Sequence, residues 1–374
     1  PGAVKYPIAC SLTDTALITF TTGSTGVPKA AKRTHGFLKE QFGALKEKID
    51  PKAGDADMSL LPIVLLINLG AGATSIIADF KAKKPQSFKP EIILDQIKKH
   101  KVKRITASPF FIKELSKHII ANRISTASVK QVFTGGAPVF PAEAEIFSRA
   151  FPAAEVEIVY GSTEAEPISS VNARELVQEK GNVLRKGLLV GKPYHRAEVR
   201  IIAVSDEVIE VSAEQELNLC RTNTSGEIIV AGPHVLKEYF NNDEALKRNK
   251  IFVEEKVYHR TGDSGYLDES GKLFLSGRCS TLFIQNGAYV CPFLYENYFS
   301  TLDGIEMGTV VHHEGKTTIV LELRKGRKIN MTEENFTSLP LHYDKILLLK
   351  KMPRDPRHHS KIEYEKLKQL LSGL

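Results

Sequence analysis

A chain of 374 residues is longer than one hydrophobic core usually serves, and 42% hydrophobic with 25% charged residues is the composition of an ordinary globular protein. The net charge of +7 suits an anionic ligand, but the basic residues are spread along the chain rather than gathered in a block. A nucleotide fits that balance as well as nucleic acid does, and the motifs below turn the expectation to a nucleotide, with no nucleic-acid partner.

The opening "PGAVKYPIAC" has neither an initiator methionine nor a signal pattern, so a further segment is expected before Pro1. An apolar run, Leu17-Ile18-Thr19-Phe20, then leads into "TTGSTGVPKA" at 21–30. Backbone N–H groups freed by Gly23 and Gly26, the hydroxyls of Thr21, Thr22, Ser24 and Thr25, and the Lys29 ammonium can converge on phosphate oxygens. The Walker register counted from Gly23 fails, because Pro28 stands where the second glycine belongs and Ala30 where the metal-binding hydroxyl belongs. Taken alone, the stretch reads equally well as a flexible turn between strands.

Thr34 is placed to cap a helix over "THGFLKEQFGALKEKI", with Leu38, Phe42, Leu45 and Ile49 as its apolar face. His35 either buttresses phosphates or simply starts that helix. Residues 58–78 carry no charge and approach the length of a membrane helix, yet Pro62, Asn68, Gly70 and Gly72 interrupt them. Buried strands and turns are expected there, and no membrane span.

Helical spacing follows at 91–100 and 109–120, short buried strands at 102–108 and 129–134, another helix at 141–151 and a strand at 156–160. That alternation predicts a mostly parallel sheet with helices on its faces. From about residue 197 the pattern becomes β-rich, with "AEVRIIAV", "GEIIVAG" and "KLFLSG". The last hundred residues offer strands at 317–323 and 345–350 and a terminal helix at 362–371, so the expected division is 1–279 and 280–374. Cys10, Cys220, Cys279 and Cys291 lack C-x2-C spacing and read as free thiols of a cytoplasmic protein. His312, His313, His342, His358 and His359 have no carboxylate or cysteine at ligand spacing and read as surface histidines.

Five stretches, "TTGSTGVPKA", "YGSTEAEP" at 160–167, "YHRTGD" at 258–263, "SGR" at 276–278 and "HSKI" at 359–362, occur in one order. In that order they resemble the adenylate-forming (AMP-binding) superfamily of acyl-CoA synthetases, luciferases and peptide-synthetase adenylation domains, from about residue 12 to the C-terminus. Within it, "TGGAPVFPA", "YGSTEAEPI", "VRIIAV" and "DPRHHSKI" look like the β-lactone synthetases of bacterial long-chain olefin biosynthesis.

The resemblance implies an α/β fold: an acyl-CoA-synthetase-like large domain, truncated at its N-terminus, with a parallel sheet, a β-rich subdomain and a small mobile α+β C-terminal domain. It implies ATP-dependent adenylation of a carboxylic acid, fatty or 3-hydroxy fatty, with ATP and Mg²⁺. The residues at Thr21, Thr22, Gly23, Ser24, Thr25 and Gly26 would grip the β- and γ-phosphates, with Lys29 adding charge. Gly135, Gly136 and Ala137 would wall the adenine slot, and Tyr160, with Gly161 beside it, would stack on the other face. Thr163 would donate to the α-phosphate, Glu164 would bind Mg²⁺, Asp263 would accept the ribose hydroxyls, and Arg278 would reach ribose or phosphate. Lys361 would bridge the substrate carboxylate and the α-phosphate in the transition state.

Two departures matter. Only about twenty residues precede the phosphate loop, where the resembled enzymes have a further α/β portion, so the chain is expected to be a fragment or to work with a separate piece. In "GRCSTLFIQNG", Ser280 and Ile284 replace the Asp and Lys that CoA ligases usually carry at the hinge. The expected rivals are therefore an acyl-CoA synthetase, with CoA as acceptor, and an inactive nucleotide-binding or interaction protein.

Overall fold

The computed structural model describes residues 9–22, 28–80, 87–326, 334–354 and 362–373. Its largest element is a 12-stranded sheet. Strands Thr74–Ile76, Ala56–Ser59, Arg104–Ala107, Gln131–Gly135 and Glu155–Ser162 lie side by side in that order, all parallel. The alternation read from residues 90–160 thus becomes the expected parallel run. Side-chain direction alternates along each strand, so Val132 joins a core with Phe111 and Phe147, on the helices Pro109–Asn122 and Pro141–Ala150. Its neighbour Phe133 joins Leu45, Ile49, Val64 and Ile67 on the opposite face, under the helices His35–Ile49 and Pro62–Ala71.

The β-rich region does not stand apart from this sheet. Strand Ala165–Asn172 returns antiparallel beside Glu155–Ser162, then Leu188–Pro193, Leu273–Arg278, Lys256–Leu267, Gly226–Ala231 and Glu198–Ile202 extend it. Gly191 is fixed by this junction: its φ is +85°, and a Cβ there would lie 1.8 Å from the Ser170 carbonyl oxygen.

The expectation of strands and turns over 58–78 fails in its middle, where Pro62–Ala71 is a helix. Pro62 sits in its first turn, where a missing N–H is harmless, and Gly72 closes it at φ +75°. Asn68 is buried within it, donating to Ser59 and Ser75 hydroxyls at 3.2 and 3.0 Å. Among the described residues no helix is long and apolar enough to cross a membrane.

The C-terminal part has its own sheet, Ile305–His313 antiparallel to Lys316–Leu323, which runs parallel to Lys345–Leu349. Val310, Ile319 and Leu321 pack against Tyr295 and Phe299 of the helix Pro292–Thr301. Val311 and Val320 face Met352 and Leu367, the latter on the terminal helix Tyr364–Ser372. The contact with the large sheet is apolar: Phe293 stacks at a tilt on Phe140, 5.2 Å between centroids, and leaves room only for glycine at 277, where a Cβ would come within 2.7 Å.

One ion pair inside the parallel run gives a stability prediction. Asp57 and Arg104 are both buried on neighbouring strands, with Arg104 Nη1 at 2.8 and 2.7 Å from the two carboxylate oxygens. Burial pushes the Asp57 pKa up against the pull of Arg104, so the guanidinium is what keeps this carboxylate tolerable. Arg104→Ala is expected to destabilise the fold by about 3–5 kcal/mol in urea unfolding, since it strands a buried charge. A loss below about 1 kcal/mol would show that water reaches Asp57.

Candidate active site

Strands Gln131–Gly135 and Glu155–Ser162 are parallel, so their carboxyl ends open at the same edge of the sheet, where α/β folds bind ligands. Gly135, Gly136, Ala137, Tyr160, Gly161 and Thr163 all lie at this edge or just beyond it. At Gly136 φ is +81° and a Cβ would meet nothing within 4 Å, so the backbone there borders open space. Gly135 answers a different demand: a Cβ would come within 2.4 Å of the Val159 carbonyl oxygen on the adjacent strand. Closeness of strands alone requires that glycine.

Asp263 and Arg278 reach the same edge because they are paired residues on Lys256–Leu267 and Leu273–Arg278. The Tyr160 hydroxyl donates to Asp263 Oδ2 at 2.8 Å, and Arg278 Nε lies 3.1 Å from Oδ1. A backbone N–H at Asp263 is held in turn by the Thr261 hydroxyl, 3.0 Å away. Burial, and then the Asp263 charge, raises the Tyr160 pKa well above its ordinary value, so the phenol stays a donor. An ionised carboxylate is an acceptor-only group, the kind that suits ligand hydroxyls.

Thr15–Thr22 and Pro28–Thr34 form an antiparallel hairpin with Thr22 opposite Pro28 and Thr21 opposite Lys29. Gly23, Ser24, Thr25 and Gly26 lie outside the described residues, as do the side chains of Thr21 and Thr22. The arm that follows is held firmly: Phe240 N donates to the Ala30 carbonyl at 2.7 Å, and Ala31 bridges to Tyr239. Lys29 Nζ donates to Asn249 Oδ1 at 2.8 Å. Burial lowers its pKa, and the nearby Glu164 opposes that shift.

Glu164 is 6% exposed, at the turn between Glu155–Ser162 and Ala165–Asn172. Tyr239 donates its hydroxyl to Glu164 Oε1 at 3.1 Å, and Leu236 N donates to the Glu164 carbonyl at 2.7 Å. Next to it, the Thr163 carbonyl accepts from Arg33 Nη2 at 3.0 Å. Lys361 lies outside the described residues, as do His358 and His359.

Arg33, Tyr239 and Lys250 are buried in this neighbourhood and carry no motif in the sequence. Arg33 also explains an irregularity of the first long helix. Leu45 and Ile49 are buried as expected and Leu38 and Phe42 only half-buried, while Gln41 turns inward to accept from Arg33 Nη1 at 3.2 Å. Thr34 does cap that helix, accepting from Phe37 N at 3.1 Å, and His35 is its first residue. His312 and His313 bond to Thr317 and Ser372, and among the described residues no group of three or more His, Cys, Asp or Glu could hold a metal ion.

Residues 3–240 match the sequence family of AMP-binding enzymes. The chain belongs to that family. The olefin beta-lactone synthetase of Stenotrophomonas maltophilia is 29% identical to it over 374 residues, covering 95% of this chain and 66% of that protein. The olefin beta-lactone synthetase of Xanthomonas campestris is 33% identical over 273 residues, covering 71% of this chain and 48% of that one. The chain therefore spans from just under half to about two-thirds of the length of these relatives. The solved structure of O-succinylbenzoate coenzyme A synthetase from Bacillus subtilis, in complex with ATP and magnesium ion, superposes with a TM-score of 0.76 at 23% identity, covering 98% of this chain and 73% of that one. That likeness shows the acyl-CoA-synthetase-like fold, with its large mixed sheet and small C-terminal part.

Proposed function

We propose that this AMP-binding enzyme adenylates a fatty or 3-hydroxy fatty acid with ATP, releasing pyrophosphate, and then closes the hydroxyacyl adenylate to a β-lactone. The observation that carries the first half is the meeting of Tyr160, Asp263 and Arg278 at one sheet edge with Glu164 and Lys29 nearby. A carboxylate set beside a guanidinium suits a ribose, and the half-buried Lys29 ammonium near Glu164 suits a triphosphate.

In this reading Asp263 accepts from the ribose hydroxyls and Arg278 reaches ribose or phosphate. Gly136 and Ala137 border the adenine, with Tyr160 on its other side. Lys29 draws the β- and γ-phosphates to the hairpin tip, and Thr163 donates to the α-phosphate. Among the described residues no group of three or more metal-binding side chains gathers, and a buried carboxylate such as Glu164 would fit Mg²⁺ as one ligand among phosphate oxygens and water. Bound there, the ion would neutralise phosphate charge; the acid carboxylate attacks the α-phosphorus and pyrophosphate leaves. Lys361 steadies the two meeting anions from the C-terminal part. The proposed division at 279/280 lets residues 280–374 turn about Ser280, within the short turn Cys279–Thr281. Four free cysteines and an ATP substrate suit the cytoplasm.

The relatives named olefin beta-lactone synthetase favour lactone closure. The coenzyme A synthetase of the same fold supports the alternative, an acyl-CoA synthetase. ATP–pyrophosphate exchange with a panel of plain and 3-hydroxy fatty acids tests the common step, and no exchange with any acid would leave only a nucleotide-binding protein. Asp263→Ala is expected to weaken ATP binding by about 1–3 kcal/mol, the value of ribose hydroxyls left unpaired. Unchanged ATP affinity by calorimetry would remove Asp263 from the site.

A further inference from the structure

A buried ammonium group stands behind Glu164 with no task in the adenylation just described. Lys250 begins the strand Lys250–Val253, paired with His259, and is 1% exposed. Its Nζ donates to the Leu236 carbonyl and lies 5.6 Å from the centroid of the Tyr239 ring. Those two residues are the ones that hold Glu164, Leu236 through its backbone N–H and Tyr239 through its hydroxyl. Lys250 thus braces both residues that hold Glu164, Leu236 at the Glu164 backbone carbonyl and Tyr239 at the Glu164 carboxylate.

The bracing is costly. Burial lowers the Lys250 pKa to about 7, with Glu164 opposing the shift and Lys29 adding to it, and His259 beside it is pushed well below its ordinary pKa. An apolar side chain of equal length would fill the space without this penalty, so packing does not account for a lysine. A cation beside the face of Tyr239, whose hydroxyl serves Glu164, does account for it.

We propose that Lys250 is a positioning residue that acts through Leu236 and Tyr239 to aim the Glu164 carboxylate at the Mg²⁺-bound triphosphate. The inference rests on the reading of Glu164 as the magnesium-facing carboxylate and names what holds it in place. It places the effect on Mg²⁺-dependent binding and leaves the adenine and ribose contacts alone, since those lie with Tyr160 and Asp263.

The test is calorimetry on the full chain with two ligands, ATP with Mg²⁺ and AMP in EDTA, for the parent, Lys250→Met, Tyr239→Phe and the double variant. The expected result is a loss of about tenfold in Mg²⁺–ATP affinity for each single variant, with AMP affinity within twofold of the parent. Because both act on one carboxylate, the double variant should be little worse than either single one. Tyr239→Phe removes a single oxygen and keeps the test decisive should Lys250→Met fail to fold. Equal weakening of both ligands, or Mg²⁺–ATP affinity unchanged in Tyr239→Phe, overturns the inference. A parent chain whose ATP binding is insensitive to Mg²⁺ overturns the reading of Glu164 and this inference with it, whereas a Mg²⁺ dependence that both variants retain overturns this inference alone.

Discussion

Lys361→Ala is expected to leave ATP affinity within about twofold of the parent while lowering ATP–pyrophosphate exchange by roughly 100-fold to 1,000-fold, the scale seen when one donor to a developing anion is removed. An interaction made only in the transition state is lost from the rate and not from ground-state binding. The described residues on either side of this lysine are anchored in the C-terminal part. Arg354 and Ile362, on either side of residues 355–361, pair with each other. Arg354 is tied to Glu322 at 2.7 Å, and the Tyr364 hydroxyl meets Thr309 Oγ1 at 2.7 Å and also bonds to Glu296. Both anchors belong to the C-terminal sheet or the helix packed on it. If exchange is unchanged in the variant while the parent is active, Lys361 is a surface residue and the anion bridge must come from elsewhere.

What the sequence disclosed, and what it hid, follows from the range of the forces involved. Elements set by local periodicity were legible: the alternation from 90 to 160, the cap at Thr34 and the terminal helix all lie where spacing places them. The helix Pro62–Ala71 was not, because it is apolar on nearly every side and offers no period, and because Pro62 and Gly72 read as interruptions when they mark its two ends. Nor did local pattern reveal that the β-rich region continues the parallel sheet through Leu188–Pro193, a matter of long-range pairing alone. The motifs led to Tyr160, Glu164, Asp263 and Arg278, which the fold gathers. Arg33, Tyr239 and Lys250 were invisible beside them, since a lysine at the start of a strand looks solvated until its neighbours are known.

The fate of the adenylate carries the largest expected difference, product against no product. With a 3-hydroxy fatty acid and ATP, the chain is expected to yield β-lactone, AMP and pyrophosphate, with CoA leaving turnover unchanged. The 3-hydroxyl oxygen attacks the activated carbonyl, the carbonyl-to-phosphate C–O bond breaks, AMP leaves, and the hydroxyl proton passes to solvent. Tethering nucleophile and electrophile in one molecule can contribute roughly 7–11 kcal/mol toward the barrier, so no second substrate is required. A CoA ligase, by contrast, must turn its C-terminal part to admit a thiol. At that turn this chain has Ser280 within the Cys279–Thr281 turn and Ile284 exposed on the short strand Phe283–Gln285, an apolar group unable to serve as a charged contact in a second orientation. A site that stays closed also keeps thiols and water from the adenylate. Mass spectrometry of products from matched acids, with and without the 3-hydroxyl and each with and without CoA, separates the two outcomes. Acyl-CoA from the plain acid, with no lactone from the hydroxy acid, would establish the acyl-CoA synthetase in place of the lactone synthetase.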